Sequence, residues 1–88
     1  HEPYGELSQK TRSLTRALNS LKEEIEAVDW YNQRVELEQN EELREILHHN
    51  MIEEIEHASM TIEWLRRNME GWDTHLKNFL FKEGKISH

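Results

Sequence analysis

Apolar residues recur along this chain at intervals of three, four or seven positions, the spacing of one face of an α-helix. The stripe in the first half consists of Leu7, Leu14, Leu18, Leu21, Ile25, Val28 and Val35. The stripe in the second half consists of Leu43, Leu47, Met51, Ile55, Ala58, Ile62, Leu65 and Met69. The pattern predicts two long helices, and a last apolar group predicts a short third one, around Leu76, Phe79 and Leu80.

Local signals suggest where these helices begin and end. Ser8 and Asn40 each precede a stripe and have side chains that can cap a helix. Gly71 is placed to end the second helix, because glycine is common just past a helix C-terminus. We therefore expect one all-α domain spanning residues 1–88, with helices over residues 8–38, 41–70 and 73–82.

The two long helices would form an antiparallel hairpin that does not bury its own apolar stripes completely. The chain has 88 residues, of which 35% are hydrophobic and 33% charged, and it contains no cysteine. A chain this small and polar usually completes its core by oligomerising or by binding metal. We expect the hairpin to pair with a second copy of itself and form a four-helix bundle.

The charge of the chain narrows the choice of partners. Its formal net charge is −7, which argues against nucleic acid as a partner and attracts cations. No segment approaches the roughly 18–20 apolar residues of a membrane span. The absence of cysteine fits a reducing compartment, so we expect a soluble cytoplasmic protein.

A Glu-x-x-His pair on helix 2 is the first candidate for chemistry. The pair is Glu54-x-x-His57. The same spacing also occurs in Glu45-x-x-His48, so the spacing alone has little weight. The helical period separates the pairs, because Glu54 falls in the apolar half of the helix whereas Glu45 points away from it. A carboxylate among apolar residues is costly unless it is protonated or paired with a cation. We therefore predict that Glu54 and His57 bind a metal.

Helix 1 offers further acidic residues on two different sides. Glu24 lies on the edge of the apolar face and is the candidate third ligand, with Tyr31 two turns further along the same edge as a nearby donor. Glu23, Glu26 and Trp30 gather on the opposite side as a separate acidic and aromatic patch. Mixed carboxylate and imidazole donors suit iron.

Other interpretations of these residues remain open. Glutamate-rich helices are most often solvated faces, and a single histidine such as His57 is more often a surface residue than a ligand. A non-enzymatic helical adaptor that dimerises would show the same pattern. So would a protein that sequesters zinc or another divalent ion without turnover, since zinc also binds glutamate and histidine.

Four stretches carry a more specific signal: residues 23–35 (EEIEAVDWYNQRV), 49–50 (HN), 53–60 (EEIEHASM) and 63–67 (EWLRR). Together they resemble the encapsulated ferritins, two-helix ferritin-like proteins that are packaged inside encapsulin shells. The resemblance covers nearly the whole chain. It departs at three positions that are usually polar or charged in the family, here Met51, Ile52 and Ile55.

This resemblance implies an enzyme, a ferroxidase that oxidises Fe(II) to Fe(III) with oxygen at a di-iron site between two subunits. The positions that match the iron ligands are Glu24, Glu54 and His57, with Tyr31 nearby. The positions that match a site through which metal enters are Glu23 and Glu26, near Trp30. Calcium or zinc are further ions for the same sites.

The resemblance also implies an assembly and a location. Dimers of the family form an open ring, which oxidises iron but does not store it. Storage of the mineral falls to the encapsulin shell. We therefore expect self-association into a ring of dimers, with the encapsulin shell protein as a further partner, in a nanocompartment within the cytoplasm.

Overall fold

Helices account for most of the chain in the computed structural model, which describes residues 1–87. A short 3-10 helix, Tyr4–Glu6, precedes two long helices and a short one: α1 (Gln9–Leu37), α2 (Glu41–Asn68) and α3 (Trp72–Phe79). No strand occurs among residues 1–87, so the predicted all-α class is confirmed. Within the same range, no helix combines the length and the apolar character that crossing a lipid bilayer would require.

The first two helices begin where their capping residues predict. Ser8 Oγ accepts a hydrogen bond from the Thr11 backbone N–H at 3.1 Å, and Asn40 Oδ1 accepts one from the Leu43 N–H at 2.9 Å. Each bond satisfies a backbone donor that has no partner inside the helix. Three residues separate the end of α1 from the start of α2, so the two helices fold back on each other.

The C-terminal helix differs in its limits from the prediction. α2 ends at Asn68, and Gly71 precedes α3 with a φ of 102°, so Gly71 starts the third helix and does not cap the second. Only glycine adopts such a φ without steric cost. α3 ends at Phe79, short of the predicted residue 82, because Leu80 is extended and Phe81 has a positive φ of 57°.

The core of one chain lies between α1 and α2 and is small. Its buried side chains, among the residues the structure describes, are those of Leu21, Ala58 and Leu65. Partly buried residues surround them: Leu14, Ala17, Leu18, Ile62, Met69 and Trp72. Such a core leaves much of both apolar stripes uncovered, as the sequence suggests for a hairpin that needs a partner.

Several residues that the stripes assign to the core are exposed in one chain. Ile25 on α1 is 55% exposed, and Ile55 on α2 is 43% exposed. Ile52, which lies beside the second stripe, is 48% exposed. A single neighbouring helix covers only the middle of an amphipathic face, so residues towards the edges of that face stay open.

An ion pair between Arg66 and Asp73 joins α3 to the end of α2. Arg66 donates to Asp73 at 2.5 Å and to the two carboxylate oxygens of Glu63 at 2.7 and 2.8 Å, and Arg67 donates to Glu63 at 2.6 Å. The bonds from Arg66 and Arg67 lower the pKa of Glu63 to about 2. Bonds from Arg66 and Lys77 likewise hold the pKa of Asp73 below its usual range. The attachment of α3 therefore depends on ionised carboxylates.

Candidate metal centre

Glu54 and His57 form a pair on α2. Glu54 Oε1 lies 3.0 Å from His57 Nδ1, and the two side chains are 24% and 44% exposed respectively. Residues three apart on a helix lie one turn apart on the same side, so both point to the same space. When Nε2 carries the proton, Nδ1 keeps a lone pair on the side of the ring that faces the Glu54 carboxylate, where both could bind one metal ion.

Glu24 turns from α1 towards α2 on the same side of the hairpin. Its Oε1 accepts a hydrogen bond from Thr61 Oγ1 at 2.9 Å, in a partly buried position. Thr61 lies one helical turn beyond His57 and two turns beyond Glu54, within about 40° of both around the axis of α2. We call the surface formed by Glu24, Glu54, His57 and Thr61 the donor flank.

An open groove runs along α1 and α2 beside Thr61. Its volume is about 320 Å³, and its lining residues are Ser13, Ala17, Ser20, Met60, Thr61 and Trp64. The three residues from α1 have small side chains, which leave room for another helix to approach the hairpin closely. The donor flank is therefore accessible from outside the chain.

One chain supplies these donors without completing a metal site. Among residues 1–87, no three His, Asp or Glu side chains come together closely enough to hold a metal ion. Glu54 and His57 offer two donors, fewer than the roughly four to six that transition metals take. The donor types fit iron, and the missing ligands would have to come from outside this chain, from water or from a second copy.

The remaining predicted site residues lie elsewhere on α1. Tyr31 is half-buried, with the Arg34 guanidinium 5.3 Å from the centre of its ring. Glu23 and Glu26 are exposed, and so is Trp30. The helical period places Tyr31 two turns beyond Glu24 on the same side of α1, and Glu23, Glu26 and Trp30 on other sides of that helix. The roles of all four residues in metal binding stay predictions.

Thr61 also lies in this region, and no role was predicted for it. Its position four residues after His57 places both on one side of α2, and that spacing was the available signal. The helical period does not predict the contact between Thr61 and Glu24, because this contact depends on how far α1 is shifted along α2.

Comparison with known proteins places the chain in a family. The EncFtn-like family model matches residues 1–83. The chain belongs to the EncFtn-like family. A second comparison agrees, since an "Encapsulated ferritin-like protein" of Rhodospirillum rubrum is 53% identical over 87 residues. The predicted resemblance to encapsulated ferritins is thereby confirmed.

Other relatives extend this comparison. A "Ferritin-like protein" of Thermotoga maritima is 59% identical over 87 residues, which are 99% of this EncFtn-like chain and 76% of that protein. The match to the Rhodospirillum protein also covers 99% of this chain but only 62% of that protein. The chain thus spans less than two thirds of the Rhodospirillum relative.

A solved structure has the same fold. The crystal structure of a Nitrosomonas europaea protein superposes on this chain with a TM-score of 0.95 and 52% sequence identity, and the match covers 99% of this chain and 96% of that one. The helical hairpin with a short C-terminal helix is therefore a fold observed in a close structural neighbour. An iron-related, ferritin-like function is consistent with membership of the EncFtn-like family.

Proposed function

We propose that this EncFtn-like protein is a ferroxidase that oxidises Fe(II) with oxygen at a site between two copies of the chain. Iron is the substrate: two Fe(II) ions lose one electron each, and oxygen takes up these two electrons with two protons to give hydrogen peroxide. The observation that carries the proposal is the placement of Glu24 on the same flank as the Glu54–His57 pair.

The chemistry of the donors favours this reaction. Carboxylates from Glu24 and Glu54 bring negative charge, which stabilises the more highly charged Fe(III) product. His57 adds an intermediate nitrogen donor of the kind that iron accepts. Iron binding requires ionised carboxylates and a neutral imidazole, so binding should be favoured near neutral pH over acid.

A second copy is the natural source of the missing ligands. A two-fold axis beside the donor flank would add another Glu24, Glu54 and His57, because a symmetric interface presents the same surface from both sides. The small residues Ser13, Ala17 and Ser20 permit the close approach that such a site needs. Pairing would also cover apolar surface that one chain leaves open.

A further contact surface supports the larger assembly. The helical period places Ile52 about 180° from Thr61 around α2 and within about 20° of Ser59, on the side that faces α3. Ile52, Ile55 and Ile25 are exposed. All three lie off the donor flank, since the same period places Ile55 about 120° from Thr61 and Ile25 about 100° from Glu24. Pairing through the donor flank leaves them uncovered, and a contact there between dimers would build the expected ring.

The compartment belongs to the same proposal. The Rhodospirillum relative is described as encapsulated. We infer that this chain also works inside an encapsulin nanocompartment in the cytoplasm, where the shell would hold the ferric mineral that the ring produces.

The test compares two neighbouring glutamates on α2. Fe(II) is added without oxygen, air is admitted, and the near-ultraviolet absorbance of Fe(III) is followed. Glu54→Gln should slow the reaction at least about tenfold, because it removes a charged donor. Glu53→Gln is the matched control, since Glu53 is exposed and pairs with His49 at 2.7 Å.

Three outcomes separate the candidate functions. A Glu54→Gln variant that oxidises iron as fast as the unmodified protein contradicts the proposed site. An unmodified protein with no oxygen-dependent absorbance and no bound metal supports a non-enzymatic adaptor. Bound zinc or iron without turnover supports a sequestering protein.

A further inference from the structure

A side-chain hydrogen bond joins the two long helices on the donor flank. Thr61 Oγ1 on α2 donates to Glu24 Oε1 on α1 at 2.9 Å. We propose that Thr61 is a positioning residue, which holds the Glu24 carboxylate ready for a metal ion that Glu54 and His57 also bind. This inference rests on the proposed role of Glu24 as a metal ligand.

The hydroxyl group has a choice between two acceptors. Thr61 Oγ1 also lies 3.1 Å from the backbone carbonyl oxygen of His57, one turn earlier on the same helix. A hydroxyl has one proton to donate, and a bond to an ionised carboxylate is shorter and stronger than one to a neutral carbonyl. The shorter distance to Glu24 agrees with this order. When Glu24 moves away, the Thr61 hydroxyl can donate to the His57 carbonyl oxygen instead.

The two ends of this hydrogen bond differ in stiffness. Threonine is branched at Cβ, so its hydroxyl has few orientations on a helix and its place is set by the backbone of α2. Glutamate has a long side chain, which loses much rotamer freedom when it is held in one position. Thr61 therefore fixes Glu24 relative to the helix that carries Glu54 and His57.

Holding one carboxylate oxygen leaves the other available. Thr61 occupies one lone pair of Glu24 Oε1, so Oε2 is free of this contact and can face a metal ion. Because the carboxylate is ordered before the metal arrives, less freedom is lost on binding, and the affinity for metal rises. Thr61 does not itself need to touch the metal.

The test measures metal binding without any oxidation. Anaerobic titration with Co(II), whose visible absorbance reports coordination, is carried out on the whole protein and on three variants. Thr61→Val keeps the shape of the side chain and removes the hydroxyl, so it should weaken Co(II) binding about tenfold, as loss of a residue that orients a ligand does. Thr61→Ser keeps the hydroxyl and should recover most of the affinity. Thr74→Val, on the exposed surface of α3, is the matched control and should bind as the unmodified protein does.

A second comparison asks whether Thr61 acts through Glu24. In a Glu24→Ala background, Thr61→Val should cause no further loss of Co(II) affinity, because the carboxylate that it positions is gone. Thr61→Ala should also weaken Co(II) binding when Glu24 is present and have no effect when it is absent. The test therefore does not depend on whether valine fits at this position. Thermal midpoints of the metal-free variants show that each one folds.

The results that would overturn the assignment are specific. They are unchanged Co(II) affinity in Thr61→Val, a Thr61→Ser variant as weak as Thr61→Val, the same loss with and without Glu24, or no Co(II) binding by the unmodified protein. Failure of the ferroxidase proposal looks different: Co(II) binding would depend on Thr61 as expected, but Fe(II) would not be oxidised in air.

Discussion

Replacing Leu65 by alanine tests how much of the fold depends on the small core of the hairpin. Leu65 has an exposed fraction of 0% and packs in one cluster with Leu21 and Ala58. The substitution removes three carbon atoms from the centre of this cluster. Their transfer to water alone costs about 2.4 kcal/mol, at about 0.8 kcal/mol for each carbon.

The cavity left behind adds to this cost. Leu14 and Ile62, which pack against the cluster, are only partly buried and have room to move inwards, so we expect the cavity to add less than about 1 kcal/mol. The total is about 3 kcal/mol of unfolding free energy. For a domain of this size, that corresponds to a fall of roughly 12–24 °C in the midpoint of thermal unfolding.

Far-ultraviolet circular dichroism measures this midpoint, at one fixed chain concentration because the proposed association would also stabilise the chain. Leu37→Ala provides a control with the same chemistry, since Leu37 is 79% exposed at the end of α1. It should change the unfolding free energy by less than about 0.5 kcal/mol. The reasoning fails if the two variants melt within a few degrees of each other.

Two further predictions concern α3 and the assembly. The lowered pKa values of Glu63 and Asp73 mean that their ion pairs stabilise the folded state fully above the pKa of an unfolded carboxylate, about 4.3. This stability is lost as the pH falls towards about 2, the folded pKa of Glu63. Tryptophan fluorescence should show a transition in this range that Asp73→Asn weakens, and identical curves would contradict the role of the ion pairs. Ile55→Glu should leave dimers that do not form rings in sedimentation velocity, and intact rings would place the second contact elsewhere.

The starts of the first two helices were predictable because the responsible contacts are local. Ser8 and Asn40 cap backbone donors three residues ahead, a distance over which sequence and geometry are directly linked. The role of Gly71 was harder to predict, because a glycine between two helices can either end the first helix or precede the second. The ion pair between Arg66 and Asp73, which fixes α3 on α2, depends on the path of the chain through that gap.

Periodicity predicted on which side of each helix the candidate residues lie, but not their contacts. Periodicity placed Glu24 on the edge of the apolar face and Glu54 within it, and the structure turns Glu24 towards α2. The choice of Thr61 as its partner depends on the shift of α1 along α2, which a repeat of 3.6 residues does not encode. Ile25 shows the same limit, because its place on the stripe does not reveal that α2 leaves it 55% exposed.

The shallow interior formed by Leu21, Ala58 and Leu65 affects how long a solitary copy survives. A chain with so little buried surface opens often, and proteases degrade opened chains. Pairing with a second copy, as proposed, would shift the balance towards the folded form by mass action, so the abundance of the protein would rise steeply with its rate of synthesis. Under the proposed function, unassociated copies are removed before they accumulate, and ferrous iron reacts on the assembled protein that remains.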